Sequence, residues 1–92
     1  MSNPNKAIAT VIADIDQYYD FSFRISPEKC VQIVPVLIGH IEDVSPILTQ
    51  NQTVALNAIL QKVVETLENR DYVRMRDYLH YELRELMLSF LT

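Results

Sequence analysis

The stretch that decides the fold is Thr49–Phe90, TQNQTVALNAILQKVVETLENRDYVRMRDYLHYELRELMLSF. Leu56, Ile59, Leu60, Val63, Val64 and Leu67 recur at three- and four-residue intervals, which places them on one side of a helix. Thr49-x-x-Gln52 supplies a capping box ahead of that run, so the helix is expected over 50–69. Asn69-Arg70-Asp71 is a short polar break. Asp71 is the natural N-cap of a following helix over 72–90. Tyr72, Met75, Leu79, Leu83, Leu86 and Phe90 form its apolar stripe, with Tyr78 and Met87 beside it. Arg74 and Asp77 stand three residues apart, a spacing that allows a weak ion pair. Two long helices joined by so short a break form an antiparallel hairpin.

Upstream, Ile8, Val11, Ile12, Ile15, Tyr18, Tyr19 and Phe23 keep the same period and predict an amphipathic helix over 5–23. Phe21 falls off that stripe, as a lip of the core or an exposed aromatic. Ser26-Pro27 is a stop-and-start signal: Ser caps, and Pro fits the first helical position. A second helix over 27–44 follows. Cys30, Ile33, Val34, Leu37, Ile41 and Val44 form its main stripe, Val31 and Ile38 widen it, and Val36 extends it further. The β-branched residues here also suit a buried strand. The 3.6-residue period and the lack of a turn leading to a partner strand favour helix. Bends are expected near Pro35 and Pro46. The reading is an all-α, compact four-helix bundle forming a single domain over residues 1–92.

Composition narrows the function. The chain has 92 residues, with one Gly and one Cys. So little Gly leaves no material for a phosphate-cradling loop or for tight hairpins. A lone Cys excludes an internal disulfide and any multi-cysteine metal site. The net charge is −4, which disfavours general binding to nucleic acid, because such affinity comes from neutralised phosphates. Residues 1–69 hold four Lys/Arg against eight Asp/Glu, and residues 70–92 hold four against four. Arg70, Arg74 and Arg76 surround a single acid, Asp71. They form either a solvated helix start or a docking patch for an acidic partner. No secretory signal is evident, and the apolar run Cys30–Ile41 is too short to span a bilayer. A cytoplasmic protein with a free thiol is expected.

Residues 55–86 also carry a resemblance. Leu67-Glu68-Asn69, Asp71-Tyr72-Val73, Asp77, Leu79 and Tyr81-Glu82-Leu83 resemble a helical-hairpin pattern of small, functionally uncharacterised proteins of Gram-positive bacteria. Some of these look like flagellar gene-cluster products. That pattern carries a Pro soon after the Tyr-Glu-Leu triplet, whereas here Arg84-Glu85 follows. The resemblance implies no catalytic residue. Its sharpest functional implication is an export chaperone or adaptor.

Few side chains invite chemistry. His40-x-Glu42 and His80-x-Glu82 place each pair about 200° apart on a helix, so neither chelates locally. Asp77, Tyr81 and Glu85 share one helix face, as do Tyr78 and Glu82; they read as a polar stripe or as hairpin hydrogen bonds, not an acid–base pair. Cys30 lies on the apolar stripe and reads as a packed thiol. No catalytic, cofactor or metal residue is assigned. The expected function is a non-enzymatic module that binds an amphipathic partner helix, with Phe21, Val36, Ile38, Arg70, Arg74 and Arg76 as candidate contact residues. The alternative is a nucleic-acid-associated regulator using the three arginines. Surplus apolar surface on the second helix, at Val31, Val36 and Ile38, predicts a homodimer.

Overall fold

The computed structural model describes residues 4–24 and 31–91. Four helices account for nearly all of these: α1 (Pro4–Arg24), α2 (Val34–Val44), α3 (Gln50–Glu68) and α4, which is continuous through Tyr72–Asp77, Tyr78–Leu83 and Arg84–Phe90. No strand occurs among the described residues. The chain is an all-α bundle with principal extents of 37 × 22 × 19 Å. The Ser26-Pro27 cap and Cys30 lie outside the described residues.

Pro35 and Pro46 each mark a change of helix type. A 3-10 turn, Val31–Ile33, precedes α2, and Pro35 sits in the first turn of the α-helix. Its missing N–H therefore falls where helical donors have no partner within the helix, so it costs little. The expected mid-helix hydrogen-bond gap is absent. Pro46 lies inside a second 3-10 turn, Ser45–Ile47, after which Leu48 is extended. Thr49 then caps α3 through a complete capping box. Its hydroxyl accepts from the Gln52 N–H at 3.2 Å, and the Gln52 side chain accepts from the Thr49 N–H at 2.8 Å.

The α3–α4 turn is tighter than its composition suggests. The Asp71 N–H donates to the Thr66 carbonyl at 2.8 Å and the Arg70 N–H to Leu67 at 3.1 Å. These are the two bonds of a Schellman closure. Arg70 occupies its left-handed position, with φ 55°. Asp71 completes this C-terminal motif and also caps α4, its carboxylate accepting from the Arg74 N–H at 3.2 Å.

Helix directions follow from side-chain pairs. Arg76 meets Ser22, His80 stacks on Tyr19, and Arg84 pairs with Asp16. Positions on α1 fall as those on α4 rise, so the two helices are antiparallel. Lys62 on α3 bonds Glu82 on α4 at 3.3 Å across the hairpin. The close backbone packing of α2 is against α1, whereas that of α3 is against α4. The bundle therefore runs α2–α1–α4–α3, with α2 and α3 approaching each other less closely than the neighbouring pairs.

The core contains Ile8, Val11, Ile15 and Tyr18 from α1; Val34, Leu37, Ile41 and Val44 from α2; Leu56 and Val63 from α3; and Met75, Leu79, Leu83, Met87 and Phe90 from α4. Three expectations need correction. Phe23, assigned to the α1 stripe, is 60% exposed, while Phe21 packs against the core at half burial. Val64 is exposed. On α4, Met87 is fully buried and Leu86 only partly so. The last change has a backbone cause, because Tyr78–Leu83 is a π-helical segment. Its wider turn takes up an extra residue and carries Met87 round into line with Leu79 and Leu83.

Candidate functional site

The gap between α2 and α3 forms a narrow groove. Val34, Leu37, Ile38 and Ile41 line one wall, Leu60, Val63, Val64 and Leu67 the other, and Leu79 of α4 contributes to the lining. Both walls use positions i, i+3, i+4 and i+7 of their helices. Every lining residue is apolar; Val34, Leu37, Ile41, Val63 and Leu79 form a buried floor shared with the core. The groove exists because two apolar faces meet where the helix backbones approach less closely than elsewhere in the bundle. Ile38 is 44% exposed and Val64 45%, one on each wall.

The rim is set by helical phase. Glu42 follows Ile38 by four residues and Glu68 follows Val64 by four, so each flanks the groove on its outer side. Both are exposed. The one lysine of α3, Lys62, turns the other way, toward Glu82.

The sequence-selected contact residues do not converge. Ile38 lines the groove. Val36 is exposed but lies about 160° from Ile38 around α2, on a different face. Phe21 packs against the core from α1. The arginines are separated by function: Arg70 forms the α3–α4 turn, and Arg74 pairs with Asp71 at 3.6 Å rather than with Asp77. The guanidinium carbon of Arg76 lies 4.2 Å from the centre of the Phe23 ring. Nη1 of Arg76 donates to the buried Ser22 hydroxyl at 3.4 Å, whereas Nε is 3.9 Å from Asp77, too far for a hydrogen bond. Ile38 is the only lining residue among those selected; the missed ones that are not buried are Leu60, Val64 and Leu67. The available signal was Val64, which widens the α3 stripe as Ile38 widens that of α2.

Around Arg76 lies an aromatic seam between α1 and α4. The Tyr19 and His80 rings stack with centroids 3.8 Å apart. Phe23 meets Tyr19 edge-on at 5.0 Å, and Tyr81 meets His80 edge-on at 4.7 Å. The Tyr81 phenol is held above its ordinary pKa, chiefly by its hydrogen bond with Tyr19. His40, at the other interface of α1, pairs through Nδ1 with the Asp14 carboxylate. The Arg84 guanidinium, bonded to Asp16 at 2.8 Å, has its pKa raised by that bond. These contacts fasten helices rather than converging on a shared cavity. Among the described residues, no group of three or more His, Cys, Asp or Glu is placed to hold a metal ion. No helix among them is long and apolar enough to cross a membrane.

No protein-family model matches this chain, and no curated protein or solved structure matches it significantly.

Proposed function

We propose that the protein is a non-enzymatic interaction module, of an adaptor or export-chaperone kind, that binds an amphipathic helix of a partner protein in the groove between α2 and α3. The observation that carries this reading is the all-apolar lining with Ile38 and Val64 exposed on opposite walls. A helix laid in such a groove buries an i, i+3, i+4, i+7 stripe. The resemblance of residues 55–86 and the single Cys support a cytoplasmic bacterial setting for this role.

The test uses the full chain and a synthetic helical peptide with an apolar stripe, followed through methyl resonances. Ile38, Leu60 and Val64 should shift on titration, while Val54 and Val73, exposed elsewhere on the surface, should not. Uniform shifts, or none, defeat the reading. Sedimentation equilibrium at micromolar concentration tests the other occupant, a second copy: a mass near twice 10.7 kDa that falls to the monomer with Ile38→Lys identifies a homodimer through α2.

The nucleic-acid reading has weaker support. Arg74 and Arg76 are both engaged within the chain, and of the three only Arg70 has no ion pair among the described residues. Mobility shift with mixed DNA and RNA decides this: binding that persists at physiological salt would favour it.

A further inference from the structure

We infer that the partner helix carries Lys or Arg along both edges of its apolar stripe. This rests on the groove being the binding site. Glu42 flanks the α2 wall just beyond Ile41, and Glu68 flanks the α3 wall just beyond Leu67. The five residues between α2 and α3 are too few to carry the chain back along α2, so α3 runs back antiparallel to it. Ile41 therefore lies toward Leu60, and Val34 toward Leu67. The two carboxylates stand at opposite ends of the groove and on opposite sides of it. The eight residues of each wall span about 10 Å, or two helical turns. An occupant of two to three turns reaches both acids, one from each edge.

Among the described residues, neither Glu42 nor Glu68 is held in an ion pair, and Arg70, two residues beyond Glu68, forms the α3–α4 turn. Lys62 is held by Glu82 at 3.3 Å on the α4 side of its helix. The negative end of the α2 dipole reinforces Glu42, which lies in its last turn. The chain as a whole carries −4, so a basic helix is also attracted from a distance. A second copy of this chain presents the same carboxylates to the same rim and meets like charge there. Charge thus selects a basic heterologous helix over self-association.

Three peptides separate the possibilities, with binding to the full chain read by fluorescence anisotropy. The first has an apolar stripe edged with lysines. In the second, glutamates replace the lysines. The third keeps the lysines and scrambles the stripe. The first should bind at least about tenfold tighter than the second, with the difference shrinking as salt rises. Glu42→Lys with Glu68→Lys should reverse that order, while Ile38→Glu should abolish binding of both striped peptides. Equal binding of the first and second, still lost in the third, overturns the basic-edge inference and leaves the groove standing. Equal binding of the first and third, unaffected by Ile38→Glu, overturns the groove and the inference together. A dimer dissociated by Ile38→Glu, with no peptide binding, shows that the occupant is a second copy and also overturns the inference.

Discussion

Leu79 and Met87 lie on one buried line of α4 although eight residues separate them. In an unbroken α-helix that interval leaves the two about 80° apart. The π-helical segment Tyr78–Leu83 absorbs the difference. It turns Leu86 partly outward and Met87 fully inward. Met87→Ala is therefore expected to cost about 2–5 kcal/mol as a core truncation, and Leu86→Ala distinctly less. Urea denaturation of both variants checks this. An equal loss, or a larger one for Leu86, would mean that α4 keeps a regular α-helical phase through this point.

The legible parts of the fold were those written in local chemistry. Thr49 with Gln52, Asp71 at its break and the 3.6-residue apolar period located α3 and α4 to within a residue or so. The π segment was not legible, because Tyr-Leu-His-Tyr-Glu-Leu is as compatible with α as with π geometry, and only packing against two helices selects between them. Phe23 misled for a related reason. Its spacing fits the stripe, but it lies one turn beyond Tyr19, where α1 faces Arg76 rather than the core. Covering a guanidinium with its ring stabilises Phe23 at the surface. The groove was half legible. The surplus on α2 was visible at Ile38, yet nothing local shows that α3 stands away from α2, so Val64 reads as one more core position.

Gly39, the only glycine of the chain, sits inside α2 with nothing within 4 Å of where a Cβ would be. It has no positive φ to require it. Gly39→Ala should then stabilise by about 1 kcal/mol through helix propensity. For a domain of this size that corresponds to a rise in melting temperature of roughly 4–8 °C. Differential scanning calorimetry reads it directly. Gly39 lies off the groove wall, so striped-peptide affinity should not change. A loss of affinity would show that the occupant covers more of α2 than Ile38 and its neighbours.

Tyr81 ties the seam to alkaline stability. Its pKa in the folded chain is raised above the ordinary 10.0, chiefly by its hydrogen bond with Tyr19. The unfolded chain therefore gives up this proton first. The stabilisation is whole below the ordinary tyrosine value and is lost as pH rises through the folded one. Ultraviolet difference titration should show one tyrosine ionising late, and Tyr19→Phe should bring it back toward 10.0. In Tyr81→Phe the decline of stability above about pH 10 should be shallower. An unchanged titration curve in Tyr19→Phe would show that the Tyr19 hydroxyl does not hold the proton.

Arg70 offers the clearest separation of a backbone role from a charge role. Its φ of 55° closes the Schellman turn between α3 and α4. A side chain with a Cβ adopts that conformation at a cost of roughly 1–2 kcal/mol. Glycine adopts it freely but loses more freedom on folding. Arg70→Gly should therefore stabilise the chain by a net of about 0.5–1 kcal/mol, whereas Arg70→Ala keeps the Cβ and should bring no such gain. Thermal denaturation of the two variants side by side tests the backbone argument, since both delete the same charge. Equal stability of Gly and Ala would mean that the turn relaxes out of the left-handed region without its arginine. The same pair decides whether the guanidinium has a second use. A nucleic-acid contact by Arg70 would be lost equally in both variants, with a shallower salt dependence. A backbone role alone changes only the stability, with a gain for Gly and none for Ala, and leaves striped-peptide binding at the groove as it was.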